Sequence, residues 1–209
     1  MLSTFLAPLL AAQPGIQRLP RKDLDLFVKR DFLDAADCAA LIERIDATRR
    51  PSTLADDLGY EGFRTSETCD LEDVDPFVAQ INARLAAYAG IDPTYGEPLQ
   101  GQRYAVGQEF KAHTDYFEPN GIDYERYCGR SGNRTWTLMV YLNEPQAGGA
   151  TRFTRADKMI QPETGKLVAW NNRLPDGGTN PASIHHGMKV RAGTKYIITK
   201  WFRELIWTG

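Results

Sequence analysis

The chain has little cysteine, little histidine and no long apolar run, and each scarcity removes a class of protein. Its three cysteines, Cys38, Cys69 and Cys128, are odd in number and share no CxxC spacing, which argues against a disulfide framework and against a zinc knuckle. A reducing, cytoplasmic setting is the expectation that follows. No stretch reaches the roughly 18 consecutive apolar residues of a membrane span, so no membrane role is expected. Lys and Arg form no run and the formal net charge is -2, which leaves no electrostatic footprint for nucleic acid. The opening MLSTFLAPLLAAQPG has an apolar stretch like a short secretory signal, but its start carries no Lys or Arg and Pro8 interrupts it. It is therefore not read as an export signal.

What is present is ordinary for a folded protein: 209 residues, 42% hydrophobic, 11% aromatic and 25% charged, enough for one domain with a sizeable core. Residues 1–97 read as a helical and loop region. Asp34 precedes AADCAALIERIDATRR, where Cys38, Leu41, Ile42 and Ile45 recur at three- and four-residue spacing, the pattern of a one-sided apolar helix. In DPFVAQINARLAAYAG, Pro76 sits near the first turn, Phe77, Ile81, Leu85 and Tyr88 share a face, and Gly90 supplies the stop. Between them, PSTLADDLGYEGFRTSE reads as loop.

From residue 98 to 209 the period changes to two. RTWTLMVYLN, GATRFT, GKLVAW and GTKYIITKWF are short, rich in β-branched and aromatic residues, and separated by Gly, Pro and Asn clusters. The pattern predicts a mainly β fold, a sandwich or barrel buttressed by the N-terminal helices, as one structural domain. The segment EPNGIDYERYCGRSGN, residues 118–133, is long for a connection in a compact domain. It reads equally as a binding loop, a lid or a plain link.

The chemistry concentrates in the histidines. In FKAHTDYF, His113 and Asp115 lie two apart in a strand-like run, so both point to one side. That geometry suits two ligands of one metal, and a third nitrogen would complete a two-histidine, one-carboxylate set that leaves iron(II) with open positions. Only His185 and His186 remain to supply it. Ten residues after His185 comes Lys195, opening the strand KYIITKWF. Lys195, Ile197, Thr199 and Trp201 share one face of that strand, and Tyr196, Ile198, Lys200 and Phe202 the other. Either face can point inward, and whichever does carries a buried lysine that needs an anion. Tyr116 and Phe117 read equally as cavity wall and as core packing.

These residues resemble the iron(II)/2-oxoglutarate-dependent dioxygenases, in the branch typified by prolyl 4-hydroxylase catalytic domains. The resemblance spans roughly residues 30 to 205 and is strongest in QRYAVGQEFKAHTDYF, TWTLMVYLNEPQAGGATRF, GKLVAWNN and SIHHGMKVRAGTKYIITKWFRE, with RTS at 64 to 66. It implies a double-stranded β-helix of the jelly-roll or cupin-like kind. It also implies iron(II) held by His113, Asp115 and His185, with His185 preferred over His186 by the ten-residue interval to Lys195. Lys195 is implied to pair with the far carboxylate of 2-oxoglutarate, Tyr104 and Thr151 to hydrogen-bond it, and Trp201 to lie beside it. Arg134 matches a position that binds peptide substrate. Dioxygen as co-substrate and ascorbate as reductant follow from the same resemblance.

Two positions depart from the family. Phe110 stands where many members have tyrosine, three residues before the first histidine ligand, and Arg203 stands where collagen-type enzymes have histidine. Both are expected on the substrate side. The leading expectation is hydroxylation of a prolyl residue in a peptide or protein, with release of succinate and CO2. The same chemistry on a small molecule such as a free amino acid is the second reading, and a non-catalytic cupin-like binding module is the third.

Overall fold

The computed structural model describes residues 9–52 and 62–209. Most of the signal-like N-terminal stretch and most of the loop PSTLADDLGYEGF lie outside the described residues. Both expected helices form. Helix α1, Ala35–Thr48, starts where the Asp34 carboxylate accepts from the backbone N–H of Asp37 at 2.8 Å, and it buries Cys38, Leu41 and Ile45. Helix α2, Pro76–Ala89, is capped by Asp75, has Pro76 in its first turn, and ends at Gly90, whose φ of 69° is left-handed. An ion pair of 2.6 Å between Arg44 and Asp75 ties the helices together.

The strands are β1 (Ile16–Arg18), β2 (Leu26–Lys29), β3 (Arg50–Pro51), β4 (Glu67–Leu71), β5 (Leu99–Tyr104), β6 (Phe110–His113), β7 (Arg134–Tyr141), β8 (Ala147–Gly148), β9 (Thr151–Phe153), β10 (Lys158–Ile160), β11 (Leu167–Asn171), β12 (His185–Gly187), β13 (Val190–Ala192) and β14 (Lys195–Arg203). A major sheet runs β1-β2-β11-β7-β14-β5-β4-β3, a minor one β10-β9-β12-β6, and β13 pairs with β8. Their pairings are antiparallel. The two larger sheets face each other as a sandwich, not a closed barrel.

Residues before 98 supply more than helices. Strands β1 to β4 come from that region and extend the major sheet at both ends. They are two to five residues long, and a period of two cannot be recognised over so few positions. Helices α1 and α2 cover one face of the major sheet, packing on Trp136, Leu138, Val140, Ile198 and Phe202. Gly101 permits this close approach, since a Cβ there would sit 2.4 Å from Ile45 Cγ1. The opposite face carries Tyr104, Met139, Tyr141 and Ile197 and packs on Phe153 and Ile160 of the minor sheet.

Central strand β14 is thus buried on both sides along its nine residues. Lys195 and Lys200 are each 1% exposed. Lys195 is therefore inward rather than solvated, and so is Lys200 on the other face.

Candidate metal centre

His113 ends β6 and His185 begins β12, and antiparallel pairing sets the two directly opposite each other. Asp115 lies just beyond β6. Single ligand atoms of His113, Asp115 and His185 lie within 4.8 Å of one another. Neighbours in strand sequence alternate faces, so His186 points away and its Nε2 meets Glu109 Oε2 at 2.9 Å. That separates His185 from His186 on structural grounds.

Each member of the trio is oriented by a second contact. His113 Nδ1 lies 2.7 Å from the carbonyl of Lys111, and His185 Nδ1 lies 3.0 Å from that of Ser183. A carbonyl only accepts, so each Nδ1 carries the proton and each Nε2 keeps its lone pair for a metal. Thr137 donates to Asp115 Oδ2 at 2.6 Å, while Asp115 Oδ1 stays 3.8 Å from His113 Nε2. Asn172, fully buried, donates to the Thr137 hydroxyl at 2.9 Å and so orients it.

The electrostatics suit the same use. Burial, and then the neighbouring His185, push His113 down to about 3, so its imidazole is neutral at pH 7. Burial alone would raise Asp115, but His185, His113, Arg134 and the Thr137 hydrogen bond outweigh it and hold the carboxyl below its usual value. Two imidazoles and one carboxylate, with no fourth protein ligand among the described residues, fit a divalent iron with open positions.

The pocket around the trio has an empty volume of about 390 Å³ and is lined by Gln102, Tyr104, Phe110, Met139, Thr151, Trp170, Lys195, Ile197, Thr199 and Trp201, among others. Lys195, at its back, makes no ion pair or hydrogen bond among the described residues; its Nζ lies 4.8 Å from the Tyr104 ring centre and 5.5 Å from that of Tyr141. Burial lowers it to about 7. A buried lysine that faces a cavity and has no acid in contact with it among the described residues is a place made for an anionic ligand. Thr151 accepts from the Tyr141 hydroxyl at 2.6 Å, which leaves its own proton to donate. Tyr104 donates to Gln102 Oε1 at 3.0 Å.

Phe110 stacks on His113 with ring centres 3.5 Å apart and 15° between planes, and Arg64 lies over the Phe110 ring at 4.9 Å. Arg134 sits 4.0 Å from the Trp201 ring centre and is gripped by Glu97 at 2.5 and 2.7 Å. Arg203 donates to the same Glu97 at 2.6 Å and to the carbonyls of Tyr127 and Gly132. Asn133 clamps both backbone groups of Phe117, at 2.9 and 2.7 Å. The structure therefore places Phe110 and Trp201 on the pocket wall, Arg134 behind Trp201, and Arg203 in a buried ion-pair network.

Sequence reasoning had not singled out Gln102, Thr137, Tyr141, Trp170 or Glu97. Gln102 was within reach, since it shares a strand face with Tyr104. Glu97 was not, because its partners lie 37 and 106 residues away.

A second groove, with an empty volume of about 720 Å³, starts at His113 and follows the chain from Thr114 to Tyr124. Tyr116 and Phe117 line this groove and not the pocket around the trio.

Residues 99–203 match the sequence profile of the 2OG-Fe(II) oxygenase superfamily. The chain is 34% identical over 145 residues to prolyl 4-hydroxylase subunit alpha-3 of Homo sapiens, covering 68% of this chain and 26% of that protein. It is 32% identical over 143 residues to prolyl 4-hydroxylase subunit alpha-1 of Gallus gallus, covering 68% and 28%. The matched part is thus about a quarter of the length of these relatives. Among solved structures, the viral collagen prolyl hydroxylase of Paramecium Bursaria Chlorella virus-1 in its 2OG complex superposes with a TM-score of 0.65 at 24% identity, over 87% of this chain and 96% of that one. A prolyl hydroxylase from Trichoplax adhaerens, in complex with a hypoxia inducible factor peptide fragment, gives 0.65 at 15% identity, over 97% and 89%. At such identities these structures establish a shared fold, the double-stranded β-helix.

Proposed function

The chain belongs to the 2OG-Fe(II) oxygenase superfamily, and from that premise we propose that it is a 2-oxoglutarate-dependent oxygenase that hydroxylates a prolyl residue of a peptide or protein. One observation carries the reading: a single pocket joins the His113, Asp115 and His185 set to a buried Lys195 that has no acid partner among the described residues. A purely structural metal site has no use for the second element, which weighs against a non-catalytic module.

His113, Asp115 and His185 would hold iron(II), which with 2-oxoglutarate and dioxygen would supply the oxidation that hydroxylates the substrate and releases succinate and CO2, with ascorbate as reductant. The chain's own residues orient and shield. His113 and His185 present Nε2 because their Nδ1 protons are spent on carbonyls, and Thr137 keeps one Asp115 oxygen occupied. Lys195 is the counter-charge for the far carboxylate of 2-oxoglutarate, and Thr151 keeps a proton to donate to it. Phe110, Met139, Trp170, Ile197 and Trp201 make the remaining wall largely apolar and keep water from the reacting end.

A peptide is favoured over a small molecule by the open groove that continues from His113 along Thr114 to Tyr124, which a free amino acid would leave unfilled. The N-terminal region through residue 97 acts in this reading as a buttress to the 98–209 core, within one structural domain. No helix among the described residues is long and apolar enough to cross a membrane. The three cysteines are buried and free, which supports a cytoplasmic setting.

The test is succinate formed from 2-oxoglutarate with iron(II), ascorbate and oxygen, with and without proline-rich peptide, followed by mass spectrometry of the peptide. Peptide-stimulated turnover and a gain of one oxygen on proline are expected. Turnover that the peptide leaves unchanged, with no oxygen gained, would remove the prolyl assignment.

A further inference from the structure

Arg203 ends β14 and is 2% exposed. A guanidinium does not shed its proton to escape burial, so its surroundings must answer the charge. Three separate segments do so. Its Nε donates to Glu97 Oε1 at 2.6 Å, just before β5. Its Nη1 donates at 2.9 Å to the carbonyl of Tyr127, in the short helix α3 (Tyr124–Cys128), and at 2.8 Å to that of Gly132, near the end of the loop 118–133. An imidazole has at most two N–H groups and could not answer three acceptors. The departure from histidine at this position therefore gives the chain a brace that histidine would not supply.

Glu97 is shared. Its Oε1 also accepts from Arg134 Nε at 2.5 Å, and its Oε2 accepts from Arg134 Nη2 at 2.7 Å. Burial alone would raise Glu97, but the two arginines outweigh it and hold its carboxyl below the usual value, so these bonds are charge-assisted. A single arginine already neutralises Glu97, so charge balance alone gives no reason for the second. What Arg134 touches gives one. Its guanidinium lies 4.0 Å from the ring centre of Trp201, a wall of the pocket, and its Nη1 donates at 3.4 Å to the carbonyl of Asp115, a member of the metal trio. Both guanidinium groups also lie near the Phe117 ring, at 5.2 Å for Arg134 and 5.3 Å for Arg203. Arg203 itself lines neither the pocket nor the groove. We propose that Arg203 is a positioning residue for peptide binding. Through Glu97 and Arg134 it sets the place of the Trp201 wall, and through the carbonyls of Tyr127 and Gly132 it ties the loop 118–133 to that wall. The proposal rests on the peptide reading above.

The experiment uses the full chain with Arg203→Met and Arg203→Lys. Arg203→Met leaves Glu97 and Arg134 paired one to one, so no buried acid is stranded, and Arg203→Lys keeps the charge on a single nitrogen. Anisotropy of a fluorescein-labelled proline-rich peptide, with manganese(II) and 2-oxoglutarate bound, gives the Kd without turnover. Arg203→Met is expected to weaken the peptide about tenfold, the weight of one charge-assisted hydrogen bond, and Arg203→Lys to recover part of that loss. Affinities for manganese(II) and 2-oxoglutarate should not change. With iron(II), the loss should fall on the KM for peptide and leave kcat at saturating peptide intact. A second readout needs no peptide. In the chain labelled with 5-fluorotryptophan, the fluorine resonance of Trp201, assigned by its loss in Trp201→Phe, should shift in Arg203→Met while that of Trp170 stays in place. An unmoved Trp201 resonance or an unchanged peptide affinity would overturn the positioning role. So would an equal loss of affinity for peptide, metal and 2-oxoglutarate, which marks a general loosening of the fold. If the unsubstituted chain binds no peptide, the peptide reading falls and this proposal falls with it.

Discussion

Lys195 and Lys200 lie on one strand, on opposite faces of the major sheet, and both are as buried as any apolar side chain in the core. Burial lowers both, Lys195 to about 7 and Lys200 to about 8. Their surroundings differ. Lys200 donates to the backbone carbonyl of Glu97 and packs so tightly on Gly96 that a Cβ there would sit 2.3 Å from its Cε. Lys195 faces a cavity and has ring faces for company but no acceptor among the described residues. A satisfied buried cation holds a fold together, and an unsatisfied one beside a cavity waits for a ligand. Burial and sequence spacing alone could not tell these two apart; their hydrogen-bond partners do.

The comparison breaks most visibly at Lys195. Lys195→Met is expected to weaken 2-oxoglutarate binding by at least about a hundredfold, since breaking a buried ion pair costs roughly 3–5 kcal/mol. The ligand-free protein should not lose thermal stability, because the substitution removes an unpaired charge. Calorimetric titration of the metal-loaded variant with 2-oxoglutarate, beside a melting curve without it, checks both halves. Unchanged affinity would remove Lys195 from the co-substrate site.

The same lysine gives a pH signature of about tenfold per unit. Its folded value, about 7, lies below the ordinary 10.5. Below pH 7 it is protonated in both the folded and unfolded chain and adds no slope to stability. Between about 7 and 10.5 the unfolded chain holds a proton that the folded one has released, so its contribution to stability rises with pH. A carboxylate ligand selects the protonated form. Affinity for 2-oxoglutarate should therefore be flat below about pH 7 and weaken about tenfold per unit above it. In Lys195→Met that dependence should vanish.

Thr137 and Asn172 sharpen the same contrast at the metal. Thr137→Val keeps the shape of a buried side chain but removes the donor to Asp115 Oδ2. Loss of such an orienting bond is expected to lower affinity for a divalent metal by about 10–100-fold. Titration with manganese(II), which needs no turnover, measures it. An unchanged affinity would mean that Asp115 is held by packing alone.

How much of this was legible beforehand depends on how far apart the cooperating residues lie. Helices α1 and α2 were readable because their caps and apolar spacing are local: Asp34 and Asp75 sit beside what they cap. The metal trio was half readable. His113 and Asp115 announce themselves two positions apart, but the choice of His185 over His186 on the residues alone needed the register that sets His185 opposite His113. Strands β2 and β4 were hidden, because a strand of four or five residues is defined by its partners, and the one that joins β2 to the rest of the sheet is β11, far along the chain. The Arg134, Glu97 and Arg203 network was hidden for the same reason. Arg203 reads as a change on the substrate side, yet its guanidinium is spent on Glu97 and two backbone carbonyls.

The smallest expected effect falls on the other lysine, and it is the control that gives the comparison its force. Lys200→Met removes the donor to the Glu97 carbonyl, an effect of about 1–3 kcal/mol if that carbonyl stays unpaired. It also relieves the burial of a charge, which acts in the opposite direction. The net loss of stability should therefore be no more than about 1 kcal/mol, read from chemical denaturation midpoints at unchanged slope. Affinities for metal and for 2-oxoglutarate should match those of the unsubstituted chain, because the side chain lies on the helix-covered face, across the sheet from the pocket. If Lys200→Met weakened 2-oxoglutarate as much as Lys195→Met, the two faces of β14 would be coupled. The presence or absence of a partner would then no longer separate the lysine that holds the fold from the lysine that holds the ligand.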